Sequence, residues 1–445
     1  MIDVHPLEKL LGMELYSTSF PGIGGKLKTR FEDFVVEEIT ADRKVLRVQP
    51  WPEIRETPIV EGKKDRFVTF TLQKMGLSTM SVTNILAASL KVSRDHITYA
   101  GLKDRRAITS QSMSAPARAI EALSVLDLSR ISIRDMHYTR HPVQIGDLWG
   151  NRFTILLRKI RTDCESAFEV SSELREKPLL NYFGVQRFGI TRPNTHLIGK
   201  ALIKRDYEEA VRSMLTTTSE YEPEELTNIR LKLSENLTPT DEMIESLPED
   251  MGYEKTVMKE LLKHQGAFER AISKIPPRLL TLHVHSFQSY LFNRTLSKRV
   301  KLGMSVSSPE VGDFLIKLDE THSGRDTWLY VTESTFTDRQ LQVESGEYGL
   351  ALPILGYSTR LPPTKQTELA KEVLKEEEVQ LTDFRNPDIR ALDSPGGLHL
   401  TSIAIPDLET SCTDDGLLMR FSLRKGSYAT IVMREIMKNH PINRV

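Results

Sequence analysis

The sequence predicts an α+β fold in two parts: a core of strands and helices drawn from both ends of the chain, and a more acidic lobe inserted between them. Three observations carry this. Short apolar or alternating runs bounded by glycine and polar residues recur up to Ile190 and return at Leu417 to Leu423. Stretches with helical spacing of apolar residues separate those runs. Between about Thr191 and Arg390 the character changes to acidic stretches, several helix-like segments and Pro276-Pro277. The expected division is a discontinuous core at 1–190 and 391–445 and a lobe at 191–390. At 445 residues the chain exceeds the ~250–300 at which one hydrophobic core stops growing.

Taken in order, Gly22 to Ile39 begins with glycines and then alternates towards Phe34-Val35-Val36, a strand signal. Phe67 to Leu72 alternates threonine with apolar neighbours and predicts a second strand; Ser81 to Val92 has apolar residues spaced for a helix. Ile97 to Ala100 is a short apolar run, and Gly101 then frees the backbone, so a strand leads into an exposed turn carrying Asp104. Arg152 to Arg158 predicts a strand, and Asp163 to Arg175 an amphipathic helix behind an aspartate cap. A charged helix is expected near Glu368 to Gln380. The last strand, Leu417 to Leu423, leads through Gly426 into a helix from Tyr428 to Lys438. No internal repeat of fixed period is present, which disfavours a solenoid.

The composition, 39% hydrophobic and 27% charged with a formal net charge of −1, is that of an ordinary globular protein. Charge is unevenly spread: Arg134 to Lys159 holds five Arg or Lys and two Asp, whereas Glu220 to Asp250 holds ten Asp or Glu and two Arg or Lys. One half can face phosphates and the other should not. The two cysteines, Cys164 and Cys412, are far apart and suggest neither a disulfide framework nor a zinc site, so a reducing, cytoplasmic setting is expected. The N-terminus lacks a signal-peptide pattern, and no apolar run approaches the ~20 residues that span a bilayer.

Asp104 lies between Lys103 and Arg105, with Arg106 next, and such cations favour an ionised carboxylate that can act as nucleophile or base. The same pattern describes a surface ion pair, and local composition leaves both readings open. Asn181-Tyr-Phe-Gly-Val-Gln-Arg-Phe-Gly189 combines aromatics, amides, an arginine and glycines. Such a segment can stack on an extruded base, satisfy its edge and, through Arg187, meet phosphate; it can equally be an aromatic core turn. Lys28 stands ahead of the strand containing Phe34, where it could pair with a carboxylate while the ring lines a pocket. His283 and His285 would share one face of a possible strand, but no third metal ligand is spaced to join them. Walker-type loops, dinucleotide glycine fingerprints and Gly-x-Ser-x-Gly elbows are absent.

Together these segments resemble the TruD family of tRNA pseudouridine synthases. The matching blocks are Lys28 with Glu32-Asp-Phe-Val-Val-Glu-Glu38, Ala100 to Gln111, Gly150-Asn-Arg-Phe-Thr154, Asn181 to Gly189, and Phe421 to Thr430 with Arg434-Glu435; Phe287 to Asn293 is similar as well. Two positions depart from the pattern, Phe31 and Arg424, where the family often has proline.

The resemblance implies a catalytic core around a mixed, mainly antiparallel β-sheet flanked by helices, an α/β insertion domain, and an RNA cleft between them. It makes Asp104 the catalytic aspartate, Lys28 its pairing lysine, Phe34 a pocket aromatic, and Asn181 and Phe183 neighbours of the target base, with Phe183 the stacking candidate. The implied reaction isomerises uridine to pseudouridine in tRNA, customarily at position 13. It needs no cofactor and no metal, and its expected partner is tRNA, without a membrane or an obligate protein partner. Asp104 either forms an ester with the sugar C1′ or abstracts a sugar proton to give a glycal; the sequence does not separate these routes. A non-catalytic RNA-binding protein and a metal-dependent hydrolase using His283 and His285 are the competing readings.

Overall fold

The computed structural model describes residues 2–51, 59–163, 166–318 and 328–444. Its strands in chain order are β1 (Gly24–Lys26), β2 (Phe34–Thr40), β3 (Val60–Glu61), β4 (Phe67–Met75), β5 (Thr98–Tyr99), β6 (Ile108–Pro116), β7 (Ile131–Thr139), β8 (Leu148–Ile160), β9 (Leu179–Leu180), β10 (Phe314–Lys317), β11 (Trp328–Tyr330), β12 (Tyr348–Ile354), β13 (Gly397–Leu400), β14 (Ser402–Ile403), β15 (Glu409–Thr413) and β16 (Gly416–Arg424).

Among the described residues, one sheet runs β15-β16-β8-β2-β6-β4-β7-β3, with β1 added against β8 and β5 against β6. Only the pairs β2–β6 and β3–β7 are parallel; the rest of this sheet is antiparallel. The expected α+β class with a mixed, mainly antiparallel sheet is what the chain adopts. A smaller sheet, β11-β10-β12-β13, and the two-stranded ladder β14-β9 lie outside it.

Alternation explains the long strands. On β16, Leu417, Met419, Phe421 and Leu423 are buried and face Leu157, Ile155, Phe153 and Asn151 of β8. On β4, Val68, Phe70 and Leu72 point into one apolar cluster with Val82 and Leu86 of the helix Thr79–Ser89. That helix is capped by Ser78, whose hydroxyl accepts from the Ser81 amide. The helices Ser166–Glu176 and Ala429–Met437 cover the β8–β16 face. The approach to the first of these, at 164–165, falls outside the described residues.

A second apolar cluster is built mainly by helices between Thr195 and Glu376. The 25-residue helix Pro277–Lys301 joins the two clusters, with Leu291 in the helical one and Phe292 and Leu296 in the one beneath the sheet. This helix corrects the expected strand at His283 and His285. Pro277 opens it, and Leu280, Val284, Phe287 and Leu291 recur at three- and four-residue spacing, the period of a helix. Two positions apart on a helix is ~200° of rotation, so the histidines diverge instead of sharing a face.

Cys412, on β15, is disulfide-bonded, contrary to the expectation from spacing; Cys164 lies outside the described residues. Among the described residues, no helix is long and apolar enough to cross a membrane.

The sheet also determines where chemistry can assemble. Because β2 and β6 run parallel, with Val35 opposite Ile108, both begin at the same end of the sheet. Phe34 and the turn that precedes β6 therefore meet there. β4 is antiparallel to β6, so its last residues, Lys74 and Met75, reach that same end opposite Thr109 and Ile108.

Candidate active site

The turn between β5 and β6 carries Asp104 and is tied down on several sides. Gln111 donates to the Gly101 carbonyl at 3.2 Å, and the Lys103 amide donates to the Thr79 hydroxyl at 2.9 Å. The Lys103 ammonium lies 2.6 Å from Glu38 on β2, with both side chains buried, and the other Glu38 oxygen accepts from the Ser112 amide at 3.0 Å. A buried pair of this kind holds a turn in place because either partner alone would be an uncompensated charge.

Asp104 stands half in the open. Its Oδ1 accepts from the Lys28 ammonium at 2.8 Å; the lysine side chain is 4% exposed and the aspartate 37%. Lys28 adopts a left-handed backbone at φ 51°, between β1 and the turn Phe31–Asp33, and its carbonyl accepts from Arg106 at 2.9 Å. Its Nζ also lies 4.4 Å from the centroid of the Phe34 ring, a cation–π distance. Lys28 thus touches both Asp104 and Phe34.

Phe34 and Asp104, but not Lys28, line a cavity of about 240 Å³ together with Asn151, Phe153, Gln186 and Tyr428. That volume is smaller than the ~300–1,000 Å³ of drug-sized pockets and suits a single base with its sugar. The side-chain oxygen of Asn151 is buried without a hydrogen-bond partner, so a residue of the cavity wall carries an unused polar atom. Gly150, just before it, sits against β16 where an added Cβ would lie 2.0 Å from the Leu423 carbonyl oxygen. Opposite Gly150, Arg424 lies over Trp149 at 5.2 Å and donates to the Leu318 carbonyl at 3.2 Å.

Asn181, Phe183 and Arg187 form an adjoining cluster and do not line the cavity themselves. Asn181 is fully buried; its amide nitrogen donates to the Leu400 carbonyl at 3.0 Å, while its side-chain oxygen has no partner. Phe183 is 6% exposed, and His399 of β13 stacks on its ring with centroids 4.4 Å apart. One face of the expected stacking residue is therefore already covered. Burial pushes the His399 imidazole down to about 4, which keeps it neutral near pH 7. Arg187 sits 5.9 Å from the Phe183 ring and donates to the Ser289 hydroxyl at 3.1 Å; burial lowers its pKa. Tyr428, 6.4 Å from Phe183, links this cluster to the cavity.

His283 is buried under the helical cluster, and its imidazole is pushed down to about 4, mainly by burial. Among the described residues no group of three potential ligands could hold a metal ion.

Sequence reasoning missed Lys74. It is fully buried, and its ammonium donates to the carbonyls of Asp104 and Leu77, each at 2.7 Å. A usable signal existed: on a strand of period two, Lys74 shares the face of Val68, Phe70 and Leu72. A lysine at core parity asks for a reason. Asn151 and Tyr428 lay inside blocks already singled out but were given no role.

Residues 10–436 match the family model described as tRNA pseudouridine synthase D (TruD). A protein of Methanosarcina acetivorans described as probable tRNA pseudouridine synthase D is 31% identical, with 99% of each chain covered. One of Thermococcus gammatolerans, described in the same words, is 33% identical over 94% of this chain and 96% of its own. The crystal structure of the putative tRNA pseudouridine synthase D from Methanosarcina mazei superimposes with a TM-score of 0.81 at 29% identity, covering 99% of this chain and all of that one.

Proposed function

The chain belongs to the TruD family of tRNA pseudouridine synthases, and from that premise we propose that it isomerises uridine to pseudouridine in tRNA, at position 13, with Asp104 as the catalytic carboxylate. The observation that carries the reading is the contact of Asp104 with a buried lysine at 2.8 Å, at the edge of a cavity sized for one nucleoside.

The reaction breaks the bond from uracil N1 to the ribose C1′ and makes a bond from C5 to the same carbon; the hydrogen lost from C5 is balanced by the one gained at N1. No electrons are exchanged with an outside group, so the chemistry asks the protein for a base or nucleophile and for a pocket that keeps the freed base while it turns. Asp104 supplies the first, either by attacking C1′ or by taking a sugar proton. Lys28 holds the carboxylate at a fixed point, and Phe34, Phe153 and Tyr428 give the base apolar walls. A stacked or paired uridine cannot reach such a cavity, so the nucleotide is extruded, at a cost of a few kcal/mol that binding must offset. In the basic stretch from Arg134 to Lys159, Arg134, Arg152 and Arg158 are already paired with carboxylates, which leaves Arg140 and Lys159, with Arg187, for phosphate contacts that make affinity salt-dependent.

Asn181 and Phe183 act in this reading through the segment they anchor, which brings Gln186 to the cavity, and Phe183 serves the base directly if His399 moves aside. The division into a core at 1–190 and 391–445 and a lobe at 191–390 is retained with one adjustment. Pairing of β13 with β12 favours ending the lobe at about Leu400. Position-resolved pseudouridine mapping on an unmodified tRNA transcript tests the assignment: the wild-type protein converts one uridine at position 13, and conversion elsewhere alone overturns the positional claim.

A further inference from the structure

Lys74 stands one residue before the end of β4, fully buried, on the strand face that otherwise packs Val68, Phe70 and Leu72. Methionine or leucine would fill that position without the penalty of desolvating a cation. Among the described residues the ammonium forms no ion pair; its two bonds, each 2.7 Å, go to the backbone carbonyls of Leu77 and Asp104. The first belongs to the link between β4 and the helix Thr79–Ser89, the second to the proposed catalytic residue itself.

We propose that Lys74 is a positioning residue for Asp104: its ammonium clamps the Asp104 carbonyl oxygen to the end of β4 and thereby fixes where the carboxylate stands in the cavity. The inference rests on the assignment of Asp104 as the catalytic group. The side chain of Asp104 is held from one side by Lys28 and its main chain from the other by Lys74, so two lysines divide the work. A carbonyl held at 2.7 Å restricts rotation of the Asp104 peptide, and the direction of the Cα–Cβ bond follows from that rotation.

Two charges act on Lys74 from the adjoining turn, the attracting carboxylate of Asp104 and the repelling ammonium of Lys103. Its neighbours in register, Thr109 on β6 and Ile131 on β7, are uncharged. Burial is the dominant influence and brings the amine down to about 8. Loss of the proton turns two charge-assisted bonds into weaker neutral ones, so the clamp loosens as the pH passes that value.

The test compares wild type, Lys74→Met and Lys74→Arg in single-turnover pseudouridine formation on one tRNA transcript from pH 6.5 to 10, with Asp104→Asn as a control. Misplacing a reacting group by an ångström can lower a rate about 10²-fold. Lys74→Met should therefore lose about that factor in kcat at pH 7 while its affinity for tRNA stays within about twofold. Its thermal midpoint should stay near that of wild type, because removing a buried charge offsets the two carbonyls left unpaired. The wild-type rate should fall above about pH 8, and in Lys74→Arg, whose guanidinium stays charged, the fall should move to higher pH. A Met variant with wild-type kcat overturns the proposal. So does an alkaline fall shared unchanged by wild type and Lys74→Arg, a comparison that decides the matter even if the Met variant does not fold. Turnover by Asp104→Asn would remove the assignment beneath it; an inactive Asp104→Asn beside unaffected Lys74 variants removes this inference alone.

Discussion

Removing the two members of the Lys28–Asp104 pair should cost unequal amounts, and the exposures say which costs more. The ammonium side chain is 4% exposed and the carboxylate 37%. Asp104→Ala strands a buried cation whose remaining partner is the Phe34 ring. Breaking a buried pair from one side typically costs about 3–5 kcal/mol, and the ring offsets about 0.5–2 kcal/mol of that, leaving about 1–4.5 kcal/mol. Lys28→Met keeps the apolar stem in place and leaves a carboxylate that can turn to water, so its loss should be about 1 kcal/mol or less. The double variant removes the stranded charge and should resemble Lys28→Met, far from the sum of the two losses. Denaturant midpoints of the four proteins at pH 7 measure this. A Lys28→Met loss equal to or above that of Asp104→Ala, or simple additivity, would refute the claim that the pair's energetic weight lies on the buried lysine.

Three further outcomes are expected. Lys74 has a folded-state pKa of about 8 against 10.5 when unfolded, so its penalty is fully present below pH 8 and is relieved as pH rises towards 10.5. The wild type should gain about 3 kcal/mol relative to Lys74→Met across that window at ~1.36 kcal/mol per unit, and parallel stability curves for the two would contradict it. Gly150→Ala should lower the melting temperature and the activity together, since its Cβ would meet the Leu423 carbonyl at 2.0 Å on the strand pair beside Asn151; a wild-type melt would show that β16 can yield. Glu38→Ala leaves the Lys103 ammonium buried and unpaired, at about 3–5 kcal/mol. Glu38→Leu combined with Lys103→Met should recover most of that loss in the same denaturant titration, and no recovery would exclude the stranded charge as its cause.

Much of the fold could be read from the sequence because its long strands alternate cleanly. Leu417 to Leu423 and Arg152 to Arg158 lie inside β16 and β8, and the Asp104 turn falls between β5 and β6 as expected. His283 and His285 were misread because a window of three residues is consistent with a strand; only the spacing of Leu280, Val284, Phe287 and Leu291 reveals the helix. Asp104 itself was ambiguous on local grounds, since neighbouring cations mark a surface pair as readily as a catalytic acid. Its contact with Lys28 depends on the parallel pairing of β2 and β6, which no local pattern contains. The stacking of His399 on Phe183 and the reach of Lys74 to the Asp104 carbonyl are likewise contacts between distant segments. Lys74 lies two residues beyond Leu72, where the alternation is read to end; only an extension of that strand to Met75 puts the lysine on the face of Val68, Phe70 and Leu72.

The central claim, that the Asp104 carboxylate carries the chemistry, is tested most directly by Asp104→Asn assayed by position-resolved pseudouridine mapping on tRNA. Asparagine keeps an oxygen that can accept from Lys28, so the fold and tRNA binding should persist while pseudouridine formation disappears. Turnover retained by this variant at a rate near that of the wild type would contradict the account.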